Sequence, residues 1–170
     1  PELVLEMTKD GIRGRGNTTW DMPKKPYKLK FDEKVSIFGL PADKEWVLLA
    51  NYADKTLLRN AVAMKLSEIV GMDWTPVILP VEVYLNNQYI GCYTFSEHKK
   101  VSKDRVNLDI VSETDNSGDE ITGDYYFEIE SRMDETTCFL TEHNHIPMMF
   151  LEPEVPTTEQ FIYIKEYFRD

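Results

Sequence analysis

The stretch that decides the reading runs from Gly11 to Glu33, GIRGRGNTTWDMPKKPYKLKFDE, and joins glycine-spaced arginines, a run of hydroxyl and amide side chains, and a lysine-rich strand. Gly14 and Gly16 flank Arg15, and Asn17, Thr18 and Thr19 follow. Glycines there let the backbone take φ > 0 and turn its N–H groups toward an anion, the chemistry of a phosphate cradle. After Pro23 and Pro26, Tyr27-Lys28-Leu29-Lys30-Phe31 alternates at the strand period, with Tyr27, Leu29 and Phe31 on a core face and Lys28 and Lys30 on the other. From Gly11 to Lys34 there are seven Lys and Arg against three Asp and Glu, a basic island in a chain that totals −11. That suits a small acidic ligand. The same residue types also make an ordinary turn beside the solvated face of an edge strand, so spacing alone leaves both readings open.

The 170 residues, 42% hydrophobic and 12% aromatic, are enough to bury a core across about one domain. No run approaches the roughly 20 apolar residues of a membrane span, and Pro1-Glu2 opens without the basic and apolar regions of a signal peptide. A chain that starts at proline and stops just after an amphipathic run reads as part of a longer protein. The acidic balance argues against nucleic acid as the main partner, because phosphate neutralisation needs a broad basic surface. Cys92 and Cys138 lack C-x-x-C spacing and read as packed free thiols, with a disulfide between them left open.

Along the chain, Leu3–Met7 and the residues around Ile12 read as strands separated by the turn chemistry of Lys9-Asp10-Gly11, and Glu45–Ala50 as a buried strand. Asp54 stands as N-cap to a helix over Lys55–Val70 whose Leu58, Val62, Leu66 and Ile69 recur at helical spacing, and Gly71 supplies its stop. Arg59 and Glu68 lie off that stripe. Val81–Leu85 and Gln88–Phe95 form a hairpin across Asn86-Asn87, with Tyr84 opposite Tyr89, Val83 opposite Ile90 and Gly91 opposite Glu82, and Gly91 leaves a flat spot for close approach. From Val111 to Thr136 nine Asp and Glu stand against one Arg, an acidic exposed loop leading into a strand over Tyr125–Glu130. His143 and His145 fall on one strand face without further metal ligands and read as surface. Thr157 or Thr158 caps a last helix with Phe161, Ile164 and Phe168 as its stripe. The expected fold class is α+β, a mostly antiparallel sheet with the Lys55–Val70 helix packed on it.

The string RGNTTWDMPKKPYKLKFD resembles the opening motif of the CotH family, spore-coat and surface proteins regarded as atypical protein kinases. The resemblance continues through NYADKTLLRN, PVEVYLNNQYIGCYTFSEH, DYYFEIE and the last helix, in the family's order. It implies the N-lobe of a divergent protein-kinase-like fold, with residues 1–170 as one domain fragment, the nucleotide-binding portion of a kinase domain. By that resemblance Lys30, or failing it Lys28, pairs with the phosphates of ATP. Arg15, Asn17 and Thr18 line the phosphate side, Glu97 sits near the lobe connection, and Glu68 holds the lysine. The family's catalytic and magnesium-holding aspartates follow the last helix, in an Asn-x-Asp loop and then a Trp-Asp-x-Asp segment; no Trp-Asp-x-Asp occurs here, Asp73-Trp74 having the order reversed, and the one Asn-x-Asp string, Asn107–Asp109, comes before that helix. The implied partners are therefore ATP with Mg²⁺ and a Ser/Thr protein substrate, at a cell surface or spore coat outside the cytoplasm, with no catalytic or metal-binding residue in these 170. The alternative is a non-catalytic binding or structural module in which Trp20, Tyr84, Tyr89 and Tyr93 form a platform for carbohydrate or protein.

Overall fold

The alternation at Tyr27–Phe31 becomes the second strand of an antiparallel sheet in the computed structural model, which describes residues 11–169. The strands are β1 (Ile12–Gly14), β2 (Tyr27–Val35), β3 (Asp43–Leu49), β4 (Ile78–Leu85) and β5 (Gln88–Glu97), in the order β1-β2-β3-β5-β4. Leu29 lies opposite Trp46 and Leu48 opposite Phe95, so the apolar residues of alternate positions meet on one face. There Leu29, Ile37, Trp46, Leu48, Ala50, Tyr93 and Phe95 make the core, with Trp46 stacked on Phe95 at 5.1 Å between ring centroids. The strand expected over Leu3–Met7 lies outside the described residues.

Asn86 and Asn87 both take positive φ, 49° and 63°, the conformation a two-residue hairpin turn demands. Tyr84 does pair with Tyr89, but a bulge follows, so that Val83 meets Gly91 and Glu82 meets Cys92. The register expected beyond the first pair is therefore one residue out. Gly91 beside the bulge takes φ 109°, a conformation that a side chain would strain, and the Lys24 side chain packs against it, its Cε 3.4 Å from where a Cβ would stand.

Helix α1 spans Arg59–Ile69, four residues later at its start than the sequence suggests. Leu57 at φ 59° breaks the turn before it, and Asp54 binds that turn through Thr56 N (3.1 Å) and Arg59 N (2.9 Å) instead of capping the helix directly. The stop is as read. Gly71 at φ 76° donates to Glu68 O and Met72 to Ser67 O, the paired bonds of a Schellman ending. The stripe is not packed, however: Val62 and Leu66 are each 55% exposed and Ile69 69%, and no residue of α1 is buried.

A second compact unit begins at Val101. It holds β6 (Tyr126–Ile129), β7 (Cys138–Leu140) and β8 (Pro147–Glu152), paired antiparallel in the order β6-β8-β7, and helix α2 (Thr158–Tyr167). Here a helix does pack: Ile164 joins Phe139, Met148 and Phe150 in the core, with Phe161 and Phe168 against it. Thr157 Oγ1 accepts from Gln160 N and Gln160 Oε1 from Thr157 N, a capping box. The wholly buried Gln160 also donates to the carbonyls of Ser112 and Asp115, which ties the acidic loop to the helix start. His143 and His145 sit exposed in a turn, with His145 at φ 51°. The fold is α+β with antiparallel sheets, as expected.

Trp46 fills the centre of the first core with no exposed surface, so Trp46→Ala should cost about 3–5 kcal/mol of unfolding free energy. Urea denaturation checks this, and a loss below about 1 kcal/mol would contradict the packing described.

Candidate functional site

Opposite the apolar face, the first sheet carries its charge. Arg13 lies across from Lys28, Lys28 from Val47 and Lys30 from Glu45. Lys28 is only 9% exposed, and its Nζ sits 2.6 Å from Glu45 Oε1 and 2.7 Å from His98 Nε2. Strand geometry makes this contact available, since Glu45 is the diagonal neighbour of Lys28 and within reach of a long side chain. Beyond it, Lys100 Nζ lies 2.9 Å from Asp43 Oδ1 and 3.8 Å from Glu45 Oε2. Two ammonium groups thus alternate with two carboxylates along the start of β3.

Burial pushes the Glu45 carboxyl up, but the hydrogen bond from Lys28 and the charges of Lys28, of His98 when protonated, and of Lys100 together outweigh it and hold the group below its usual range. Glu45 is thus ionised at neutral pH. An ammonium group has three protons to donate and no lone pair. Glu45 and His98 take two of them among the described residues.

The loop from Arg15 to Thr19 borders a different feature. A cavity of about 200 Å³ is lined by Arg15, Thr19, Met22, Lys24, Tyr52 and Asn60 among others, with neither Lys28 nor Lys30 in its wall. Of the two loop glycines only Gly16 takes positive φ, 84°, while Gly14 ends β1 beneath the Trp20 ring. Arg15 N donates to Pro26 O at 3.2 Å, so that N–H is spent on the loop. The Arg15 guanidinium is half-buried, and burial lowers its proton affinity. Lys24 Nζ lies 4.3 Å over the Tyr93 ring and donates to Cys92 O, and desolvation lowers its pKa against the charge of Cys92. On the cavity's far wall Asn60 Nδ2 donates to Asn51 Oδ1 at 3.0 Å, and Asn51 Nδ2 to Thr94 Oγ1 at 2.7 Å.

The residues singled out from sequence are therefore dispersed. Arg15 lines the cavity, whereas Asn17 and Thr18 are exposed in the turn beside it and outside its wall. Lys30 is exposed, and Lys28 is buried in its ion pair. Glu68 pairs with Lys65 of its own helix at 2.6 Å, both exposed, and the carboxylate paired with Lys28 is Glu45. Glu97 is buried at the end of β5, where its Oε2 accepts from Val77 N at 2.9 Å. Lys28 and Lys30 thus do not line the cavity that borders the glycine loop. Glu45, Asp43, His98 and Lys24 escaped the sequence reading, although an acidic residue alternating on the strand beside a lysine strand was a usable signal for Glu45. The aromatic platform is also divided: Tyr93 is buried, Trp20 packs edge-on against Tyr27, and only Tyr84 and Tyr89 stand exposed as a pair.

Glu45→Gln keeps the shape and removes the charge opposite a nearly buried ammonium, which should cost about 1–3 kcal/mol near neutral pH. Because the folded carboxyl titrates below its unfolded value, this contribution is full above about pH 4.3 and fades as pH falls through the folded pKa. Urea denaturation of both proteins at pH 7 and pH 3 checks it: the gap should narrow at pH 3, and a gap that widens there would contradict the assignment.

No described helix is long and apolar enough to cross a membrane, and no described group of three or more His, Cys, Asp or Glu could hold a metal ion. No curated protein matches the chain as a relative. A family model described as CotH kinase protein matches residues 12–161, from the first strand of the lysine-bearing sheet into the last helix. The chain belongs to the CotH family.

Proposed function

We propose that these residues are the ATP-binding portion of a CotH-type Ser/Thr protein kinase acting on surface or spore-coat proteins. The observation that carries this reading is Lys28, a strand lysine taken almost wholly out of solvent and held by a carboxylate on the neighbouring strand. An ammonium fixed in this way has lost most of its rotamer freedom before a ligand arrives, so its remaining proton can meet a phosphate oxygen at little further entropic cost. Protein kinases use a strand lysine held by a glutamate for the nucleotide phosphates. The structure favours Lys28 over Lys30 for that part, because Lys30 is exposed and contacts neither Glu45 nor His98 within the described residues.

The described residues fit one wall of such a site. The cavity at Arg15 is smaller than the roughly 300–1,000 Å³ of pockets that enclose a whole ligand. Arg15 and Lys24 supply positive charge there, and Tyr52, Met22 and Pro26 apolar surface. No described group of carboxylates is arranged to hold magnesium, and on this reading its ligands, and the residue that orients the attacking hydroxyl, belong to the aspartate segments that the family resemblance implies after the last helix. In the transfer the substrate hydroxyl oxygen bonds the γ-phosphorus as the bond to the β-phosphate oxygen breaks, the hydroxyl proton leaves, and ADP departs. Lys28 stabilises charge on the phosphates in that step.

In the full-length protein, Lys28→Ala should lower γ-phosphate transfer to a Ser/Thr substrate by about 100-fold or more, and Lys30→Ala by less than about 3-fold. Residues 1–170 alone should transfer none. Radiolabel transfer at matched thermal stability decides it: equal activity of Lys28→Ala and wild type would overturn the reading, as would transfer by the short chain.

A further inference from the structure

We propose that His98 is a positioning residue for Lys28, working as a neutral hydrogen-bond acceptor, so that the productive placement of Lys28 is lost when the imidazole is protonated. The inference rests on the ATP-binding reading for its functional consequence and on contacts alone for its structural half. Lys28 Nζ is 2.7 Å from His98 Nε2 and 2.6 Å from Glu45 Oε1. An ammonium cannot accept a hydrogen bond, so Nε2 must carry a lone pair there and the ring proton must sit on Nδ1. Glu45 alone would leave the lysine free to pivot about one contact. The second contact, from the end of β5, fixes it in two directions, because β5 and β2 flank β3 on either side in the sheet.

The charges around the imidazole explain why its protonation is disruptive. Facing this cluster are Lys28 from β2, with Arg13 of β1 across from it, Glu45 and Asp43 from β3, and Lys100 from the segment after β5. In these contacts Lys28 and Lys100 meet Glu45 and Asp43, and Lys28 is the cation that lies against the imidazole. A proton on Nε2 replaces an acceptor with a donor and sets two cations 2.7 Å apart. The imidazolium then competes with Lys28 for Glu45, and the lysine gives up one of its two anchors.

Two measurements on the full-length protein test this. Hydrogen–deuterium exchange at the His98 ring carbon, read by mass spectrometry, gives its titration midpoint without any nucleotide. Lys28→Met should move that midpoint up by about one pH unit, and an unmoved midpoint would overturn the proposal. The pH profile of kcat/KM for ATP should fall on the acid side at the His98 midpoint. His98→Gln, which keeps an acceptor that does not titrate, should remove that limb while preserving activity at pH 7.5, and His98→Ala should lower kcat/KM at every pH. An acid limb unchanged in His98→Gln would overturn the proposal. If the midpoint responds to Lys28→Met but the wild type binds no ATP at any pH, the ATP-binding reading falls and the hold of His98 on Lys28 stands.

Discussion

An ammonium group that the sheet removes from water must be matched where it lies, and the pairing of Lys28 with Glu45 is the constraint from which the charged face of the first unit follows. The effective cost of taking either ion from water is on the order of several kcal/mol, and their attraction offsets it only when the geometry is good and the other protons are used. Here the distances are 2.6 Å to Glu45 and 2.7 Å to His98. Glu45 comes from β3 and His98 from the residue just after β5, so the cluster depends on the register that brings Lys28 opposite Val47 and Val47 opposite Ser96. A one-residue slip in β2 would turn Lys28 into the core and Leu29 out of it. The ion pair and the Trp46 core therefore specify the same register from opposite faces of one sheet.

The two helices show how differently local signals and packing can combine. Helix α2 has a capping box and a buried stripe, so local and tertiary terms agree. Helix α1 has the Asp54 turn at its start and a Schellman ending, yet buries no side chain. An isolated helix of 11 residues is marginal in water, so end interactions carry an unusual share of its stability. The contact that ties its first turn to the sheet is polar, from Asn60 through Asn51 to Thr94 of β5.

Much of the fold was legible because the deciding signals were local. The Tyr27–Phe31 alternation, the Asn86-Asn87 turn, the Gly71 stop and the Thr157 cap each act within a few residues, and each appears where its chemistry places it. The short strands Cys138–Leu140 and Pro147–Glu152 were not legible, since neither is long enough to show a period and one opens on proline. The site was harder still. Nothing in a linear reading ranks Lys28 above Lys30, because strand alternation gives them the same face; what separates them is Glu45 and His98, residues brought in by register. Glu68 was a reasonable partner by analogy with a helix-borne glutamate, but α1 presents it to Lys65 and to solvent. The bulge beside Gly91 and the contact there with Lys24, a residue far away in sequence, are likewise announced by no local pattern.

Which lysine meets the nucleotide is the central point, and an acyl-phosphate derivative of ATP reads it directly by acylating the lysine that lies against its phosphates. Labelling of the full-length protein with competing Mg-ATP present or absent, followed by peptide mapping, should place the ATP-protected acyl group on Lys28. Protected labelling at Lys30 or Lys24 instead, with Lys28 unmodified, would contradict the account.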